Sequence, residues 1–275
     1  MGDIIFPVLL VFGLGLICAA VLAVASRLMY VPVDETQWHI RQALPGANCG
    51  SCGFAGCDGY ADALASNEDV PTNLCTPGGD SVSRLISDLL GLEFSDVAEM
   101  VAYVQCGGCE DVTGDKMDYE GIMTCAAAGR FFGGTGKCSY GCIGYGDCAS
   151  ACPNGAIYYD RGVARVNSEL CIGCGLCAAA CPKNLIVMLP DTVKTAVTCK
   201  NNDKAAKTRA VCSAGCLACG KCVRECPDGA ILVRDKCALI DYDRCSSCGH
   251  CAEVCPTKCI RLANFSGAFN KEQAV

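Results

Sequence analysis

The first apolar segment of the chain runs from Ile4 to Ala25, 22 residues without a charged side chain. One helix of that length is sufficient to cross the hydrocarbon core of a bilayer. Asp3 precedes the segment and Arg27 follows it, so the positive-inside tendency places the remaining chain on the cytoplasmic side. A cleaved signal peptide is the alternative, because residues 23–25 (Ala-Val-Ala) resemble a cleavage site. The acidic N-terminus and the length of the segment favour a retained single-pass membrane anchor over residues 1–30.

A second apolar pattern extends from Val82 to Val104 and has the spacing of a helix. Its apolar positions are Val82, Leu85, Ile86, Leu89, Leu90, Val97, Met100, Val101 and Val104. Asp80 or Ser81 and, farther along, Ser95 are the predicted caps. The pattern predicts that residues 31–105 form a small α-rich domain.

Four short runs in the second half of the chain are typical of β-strands. They form two pairs, Ala156–Tyr159 with Val163–Val166 and Ala230–Val233 with Cys237–Ile240. A turn separates the members of each pair, so each pair predicts a small hairpin. The expected fold class is therefore α+β.

The two predicted hairpins belong to an internal repeat of 74 residues. At this shift Cys125, Cys138, Cys142, Cys148, Cys152, Cys171, Cys174, Cys177 and Cys181 coincide with Cys199, Cys212, Cys216, Cys222, Cys226, Cys245, Cys248, Cys251 and Cys255. The sequence Cys-Pro-Asn-Gly-Ala-Ile (152–157) also matches Cys-Pro-Asp-Gly-Ala-Ile (226–231). The repeat predicts two tandem modules, residues 106–190 and residues 191–275.

Composition explains what stabilises such modules. Of the 275 residues, 28 are cysteine and only 18 are Phe, Tyr or Trp, which indicates a metal or disulfide scaffold rather than a large apolar core. Disulfides are disfavoured because the cysteines are densely spaced and the expected compartment is reducing. The net charge of −7 argues against nucleic acid as the main partner.

The cysteine spacings predict iron–sulfur clusters. The first block, Cys49-x2-Cys52-x4-Cys57-x17-Cys75, has a glycine beside most of its cysteines, so the backbone can wrap closely around one cluster. Later runs follow the C-x2-C-x2-C-x3-C-P pattern of bacterial two-cluster ferredoxins, in which the fourth cysteine ligates the neighbouring cluster. Zinc ribbons, the alternative, use two separated C-x2-C pairs.

This crossing rule predicts at least five [4Fe-4S] clusters. The first is bound by Cys49, Cys52, Cys57 and Cys75; the second by Cys138, Cys142, Cys148 and Cys181; the third by Cys152, Cys171, Cys174 and Cys177; the fourth by Cys216, Cys219, Cys222 and Cys255; and the fifth by Cys226, Cys245, Cys248 and Cys251.

The second set is irregular because Tyr145 occupies the position that corresponds to Cys219. We expect Cys138 to replace the missing ligand; otherwise the cluster at this position is incomplete or absent. In the alternative arrangement Cys138 joins Cys106, Cys109 and Cys125 in an extra, sixth cluster. The remaining cysteines, Cys199, Cys212, Cys237 and Cys259, are expected to be buried thiols.

Charge is divided unevenly along the chain. Residues 28–120 carry 3 basic and 16 acidic side chains, whereas residues 121–275 carry 18 and 12. Residues 194–209 concentrate five of the basic ones, Lys194, Lys200, Lys204, Lys207 and Arg209. This stretch is either a solvated loop or a docking surface for an acidic protein.

These features together resemble the B subunit of the Rnf complex, a membrane-bound ferredoxin:NAD oxidoreductase that translocates Na+ or H+. The resemblance rests on the anchor, the block Leu44-Pro-Gly-Ala-Asn-Cys-Gly-Ser-Cys-Gly with Cys57 and Cys75, and the ferredoxin runs, in this order. The smallest members of that family carry one ferredoxin module, and this chain carries two.

The resemblance implies a translocase subunit that relays electrons between soluble ferredoxin and the other subunits of the membrane complex. The chain has no P-loop, no catalytic triad and no dinucleotide fingerprint, so NAD and flavin are expected to bind to other subunits. Two alternatives remain: a membrane-tethered polyferredoxin that serves a hydrogenase or another reductase, and a cysteine-rich zinc or regulatory module.

Overall fold

A computed structural model describes residues 2–28, 35–66 and 69–263. Its first element is helix α1 (Gly2–Leu28), of which Val8–Leu28 is long and apolar enough to cross a membrane. None of this segment is buried against the rest of the described chain. The helix agrees with the predicted anchor, of which residues 1, 29 and 30 lie outside the described residues.

Three helices form the α-rich domain that follows: α2 (Glu35–Ala43), α3 (Gly56–Ser66) and α4 (Gly79–Leu90). A short 3₁₀ turn (Thr76–Gly78) leads directly into α4. Each helix contributes a fully buried side chain to the core, Ile40, Tyr60 and Ile86. Helix packing around two cysteine-bearing loops therefore stabilises this domain.

The predicted continuation of α4 to Val104 is wrong. The helix ends at Leu90, and the next residue, Gly91, adopts a left-handed conformation with φ of 68°. The chain then returns along α4, where the Asp80 carboxylate accepts a hydrogen bond from the Val97 N–H at 2.8 Å and the Ser83 hydroxyl donates to the Ser95 carbonyl. Asp80 and Ser95 therefore connect this returning segment to α4 and are not helix caps.

Residues Met100–Val104 form strand β1 rather than a helix. β1 pairs in antiparallel register with β4 (Ile186–Pro190), with Val104 opposite Ile186. The apolar spacing of this segment fits either structure, and the available edge of β4 determines the outcome. This pairing joins Met100–Val104 to the first ferredoxin-like module, although the predicted boundary lay at residue 105.

The two predicted hairpins are confirmed. The first joins β2 (Ile157–Asp160) to β3 (Val163–Val166), and the second joins β6 (Ile231–Arg234) to β7 (Cys237–Ile240). The two remaining strands, β5 (Thr195–Val197) and β8 (Ile260–Leu262), pair with each other in antiparallel register. The short helices are α5 (Cys125–Ala128), α6 (Asp147–Ser150), α7 (Leu176–Ala180), α8 (Ala205–Val211), α9 (Lys221–Arg224) and α10 (His250–Glu253).

Strand pairing corrects one match of the 74-residue repeat. Val104 lies opposite Ile186 and Val197 lies opposite Ile260, so β1 and β5 are equivalent and Cys106 corresponds to Cys199. The Cys106 sulfur accepts a hydrogen bond from the N–H of Cys142, 36 residues later, and the Cys199 sulfur accepts one from Cys216, 17 residues later. The first module therefore contains an insertion, and Cys125 lies within it.

An apolar contact joins the two modules. Leu189, Val193, Ala196 and Ala263 form a small buried cluster, against which Tyr103 and Tyr242 pack. Burial raises the pKa of Tyr103 to about 12. The modules are thus packed against each other along the β1–β4 and β5–β8 sheets.

Candidate iron–sulfur sites

The first candidate site lies between the helices of the α-rich domain. The Asn48 side chain accepts a hydrogen bond from the Cys57 N–H at 2.8 Å, which fixes the loop that carries Cys49 and Cys52. Burial raises the pKa of Cys75 to about 11, and negative charge on Cys57, Cys52 and Cys49 raises it further. The structure thus brings together the four cysteines of the first predicted set.

The third predicted set surrounds one cavity of the first module. Cys152, Cys171, Cys174 and Cys177 line this cavity, which encloses about 330 Å³. Burial raises the pKa of Cys177 to about 12, followed by the charges of Cys171, Cys174 and Cys152. Cys152 therefore lies with the later run of cysteines, as the crossing rule predicts.

The neighbouring cavity contains the irregular set, and its fourth cysteine is Cys125. The cavity encloses about 360 Å³, and the cysteines that line it are Cys125, Cys142, Cys148 and Cys181. Cys138 lines a different cavity, between the two modules. The structure thus brings Cys125, and not Cys138, to the position left by Tyr145.

Asp147 positions Cys125 at this cavity. Its two carboxylate oxygens accept hydrogen bonds from the N–H groups of Cys125 and Ala126, at 2.8 and 2.9 Å, and so bind the N-terminus of α5. Helix α5 packs there because the insertion brings it back to the first module. In the sequence this contact is indicated only indirectly, because Asp147 lies between Tyr145, which replaces a cysteine, and Cys148.

The second module contains two further sets. Cys216, Cys219, Cys222 and Cys255 line one cavity of about 350 Å³, together with Cys259, whose sulfur lies 3.6 Å from that of Cys255. The other set surrounds Cys251. Burial raises the pKa of Cys251, as do the charges of Cys245, Cys248 and Cys226, against the lowering effect of a hydrogen bond with Thr195.

The chemistry of these sites fits iron–sulfur clusters. None of the 28 cysteines, all of which lie within the described residues, forms a disulfide. Backbone N–H groups of Ala102, Ala156, Leu185 and Ala238 donate to the sulfurs of Cys171, Cys152, Cys181 and Cys216 at 3.3–3.5 Å. Such N–H donors stabilise cluster sulfurs and influence their reduction potential.

The spacing of the cysteines fits a cluster better than a single ion. Within the described ranges, no three His, Cys, Asp or Glu side chains come close enough to hold one metal ion. Zinc would need thiolates about 4 Å apart, because each Zn–S bond is about 2.3 Å long. A four-iron cluster instead binds cysteines at its separate corners.

The α-rich domain and the first module are in contact at their cysteine sites. The Ser51 hydroxyl donates to the Gly173 carbonyl at 3.4 Å, and negative charge on Cys49 raises the pKa of Cys174, after the larger effect of burial. A Cβ atom on Gly173 would lie 2.5 Å from the Met100 carbonyl oxygen and 2.6 Å from Thr76. Glycine therefore permits the first and third sites to approach closely.

Family models match each of these cysteine regions. Residues 44–77 match a model described as a putative Fe-S cluster. Residues 137–185 and 170–230 match a 4Fe-4S dicluster domain, and residues 238–261 match a 4Fe-4S binding domain. The chain therefore contains 4Fe-4S domains in tandem.

The chain is also similar along most of its length to curated proteins. It is 40% identical to the B subunit of the proton-translocating ferredoxin:NAD(+) oxidoreductase complex of Clostridium ljungdahlii, over 90% of this chain and 87% of the relative. It is 38% identical to the B subunit of the Na(+)-translocating complex of Acetobacterium woodii, over 94% and 78%. The B subunit of the ion-translocating oxidoreductase complex of Methanosarcina acetivorans is 37% identical, over 91% and 95%.

These relatives favour the Rnf interpretation over a hydrogenase-associated polyferredoxin. The anchor helix, the first cysteine block and the tandem ferredoxin sites occur here in the order expected for that family. The chain belongs to the family of B subunits of the ion-translocating ferredoxin:NAD oxidoreductase (Rnf) complexes.

Proposed function

We propose that this chain relays electrons from reduced soluble ferredoxin to the other subunits of a membrane complex that reduces NAD+ and translocates Na+ or H+. The observation that carries this proposal is the contact between successive cysteine sites. Bound [4Fe-4S] clusters would supply one-electron redox chemistry at these sites. The role of the protein is to hold the sites close together and to shield them from water.

The contacts define an order for the relay. The first site touches the third through Ser51 and Gly173. The second and third sites lie in one module, where Cys152 and Cys181 each cross to the set of the other run. The fourth and fifth sites are related in the same way by Cys226 and Cys255. In this proposal the second module is distal, and the first site is nearest the membrane.

The anchor supports this direction. Six residues separate the end of α1 at Leu28 from the start of α2 at Glu35, so the α-rich domain stays close to the bilayer. With Arg27 in the last turn of α1, the positive-inside tendency places the globular part on the cytoplasmic side. Electrons would leave the first site for membrane subunits, and NAD and flavin would bind to those other subunits.

Soluble ferredoxin is the proposed electron donor, and the basic stretch 194–209 is its proposed docking surface. Lys194, Lys200, Lys204, Lys207 and Arg209 are all exposed. Lys207 pairs with Asp203 at 2.9 Å, and the hydrogen bond to Asp203 raises the pKa of Lys207. The acidic residues 28–120 would repel an acidic carrier, so association is favoured at the second module.

Charge reversal tests this surface. In the purified complex, Lys200→Glu, Lys204→Glu and Lys207→Glu together should slow oxidation of reduced ferredoxin about tenfold at low ionic strength and flatten its dependence on salt. The control carries the same charge change on other exposed lysines of the second module, Lys221→Glu, Lys236→Glu and Lys258→Glu. Equal rates in the two triple variants, measured by stopped-flow absorption at unchanged iron content, would contradict docking at residues 194–209.

A further inference from the structure

A cysteine-lined cavity lies between the two ferredoxin modules and belongs to none of the five sets. It encloses about 470 Å³, part of it open to solvent, and its cysteines are Cys106, Cys138, Cys142, Cys199 and Cys212. Cys142 also lines the cavity that contains Cys125, so it is already assigned to the second set. The other four come from both modules.

Hydrogen bonds fix the two walls of this cavity against each other. The Gly107 N–H donates to the Thr198 carbonyl at 2.8 Å. Beyond Cys109, the Thr113 hydroxyl donates to the Val211 carbonyl at 2.7 Å, and the Ser213 N–H donates to the Val112 carbonyl at 3.0 Å. The loop that carries Cys106 and Cys109 is therefore held directly beside the segment that carries Cys212.

Two glycines keep the space between the sulfurs free of side chains. A Cβ atom on Gly108 would lie 3.6 Å from the Cys212 sulfur and 3.7 Å from the Cys106 sulfur. A Cβ atom on Gly141 would lie 3.5 Å from Cβ of Cys138 and 3.9 Å from the Cys106 sulfur. Cys106 thus has Cys212 on one side and Cys138 on the other.

Cys199 lines the cavity and Cys109 does not, but Cys109 lies in the same loop as Cys106 and shares a motif with it. Cys106-Gly-Gly-Cys109 has the C-x2-C spacing with which paired ligands hold one cluster. Cys109 is buried together with Cys106 in the core of the first module, and Gly108, its neighbour in the chain, faces the Cys212 sulfur. The Cys199 sulfur accepts hydrogen bonds from two N–H groups of its own module, those of Cys216 and Asn201, at 3.3 and 3.5 Å.

We propose that Cys106, Cys109, Cys138 and Cys212 bind a sixth [4Fe-4S] cluster shared by the two modules. The shared cluster would be one more step of the proposed electron relay, and this inference rests on that proposed function. The site adjoins the second set, because the Cys142 N–H donates to the Cys106 sulfur at 3.4 Å. It adjoins the fourth set through Cys199, which lines the same cavity and whose sulfur accepts a hydrogen bond from the Cys216 N–H. It would thus connect the two modules electronically.

The site also lies beneath the basic stretch 194–209. The Asn201 amide donates to the Cys138 sulfur at 3.4 Å, and Lys200 lines the same cavity as Cys138. A donor that docks on these lysines would therefore meet the shared site first.

Iron analysis of the full-length chain tests the proposal. After anaerobic purification in detergent and reconstitution with ferrous iron and sulfide, wild type should hold about 24 iron atoms per chain, since six four-iron clusters are expected. Cys106→Ala and Cys212→Ala should each remove between one and four of them. The double variant should lose about four and no more, because both residues ligate one cluster.

Cys199→Ala is the matched control, since it removes a thiol from the same cavity and should keep the full iron content. Unchanged iron in Cys212→Ala would overturn the proposal. A loss of clearly more than four iron atoms in the Cys106→Ala, Cys212→Ala double variant would also overturn it, because the two cysteines would then ligate different clusters. Visible absorption and gel filtration show whether each variant retains its other clusters and its fold.

These measurements separate the shared site from the relay function. Loss of iron reports on the cluster whether or not ferredoxin reacts with the complex. Slow ferredoxin oxidation after lysine reversal, at full iron content, reports on docking alone. Wild-type rates in that lysine variant would count against the docking surface and leave the iron result intact.

Discussion

A single tyrosine, Tyr145, shows how this chain departs from a regular ferredoxin at the residue scale. The repeat places a cysteine, Cys219, at the equivalent position of the second module. The structure replaces the missing thiol by Cys125, which arrives from an insertion and is held by Asp147. A cysteine that is absent from one loop can therefore be supplied by a distant segment, provided that a specific contact positions that segment.

Cys125 and Cys138 should behave as ligands of different clusters. Cys125→Ala should open the second cluster and produce a three-iron form that EPR detects in the oxidised protein. Adding Cys148→Ala should bring the total loss to about four iron atoms, those of one cluster, whereas adding Cys138→Ala should remove iron from another cluster. The same iron loss in both double variants would instead return Cys138 to the second set.

Asp147 is a positioning residue, and its effect should appear as cluster lability. Asp147→Asn keeps one acceptor oxygen and loses the charge that binds two N–H groups of α5. A lost cap of this kind costs about 1 kcal/mol, so release of iron from the second cluster to a chelator should accelerate about fivefold. Glu169→Gln removes an exposed charge from the same module and serves as the control; equal release rates would contradict the role of Asp147.

At the scale of elements, strand β1 decides how the α-rich domain meets the first module. Its pairing with β4 brings Met100 against Gly173. The Ala102 N–H, in the middle of the same strand, donates to the Cys171 sulfur at 3.5 Å. One strand thus contributes both to the domain contact and to the third site.

Gly173→Ala should disrupt this contact. The new Cβ would lie 2.5 Å from the Met100 carbonyl oxygen, in addition to the strain of a φ of 67°. Gly175→Ala is a close control, because Gly175 has a φ of 71° and open space around it. Strain alone costs about 1 kcal/mol, and overpacking against backbone adds about 1–3 kcal/mol.

The thermal unfolding temperature should therefore be lowered more by Gly173→Ala than by Gly175→Ala. Electron exchange between the first and third sites should also slow only in the Gly173 variant, because that substitution separates the two domains. Rapid-freeze EPR after partial reduction measures this exchange. If both glycine variants lost the same stability and exchanged electrons at the wild-type rate, the close approach would be irrelevant to the relay.

At the scale of the whole molecule, the membrane helix is structurally separate from the globular part. Residues Val8–Leu28 are not buried by the rest of the described chain. The cores of the α-rich domain and of both modules contain no described residue of α1. Attachment to the membrane and assembly of the clusters are therefore expected to be independent.

A chain that begins at Glu35 tests this independence. It should remain soluble without detergent and should hold the same number of iron atoms as the full-length chain, because no cysteine ligand is removed. Its stability against denaturant should match that of the full-length protein. Loss of iron on removal of residues 1–34 would show that α1 contributes to folding of the cysteine sites.

Features that depend on local spacing could be predicted from the sequence. The apolar run defined α1, strand patterns defined the hairpins β2–β3 and β6–β7, and regular cysteine spacing indicated tandem 4Fe-4S domains. A turn residue, an apolar period or a C-x2-C motif acts over a few residues, so its effect can be read along the chain.

Features that depend on distant partners became visible only in the folded chain. The segment with helical spacing that ends at Val104 forms β1 because β4, which begins at Ile186, offers a pairing edge. Cys125 matched Cys199 in the linear repeat, yet strand register makes Cys106 the equivalent of Cys199. Cys212 lines a cavity with Cys106 only because the two modules pack together. Contacts between segments far apart in sequence depend on packing, and a linear pattern does not encode which segments meet.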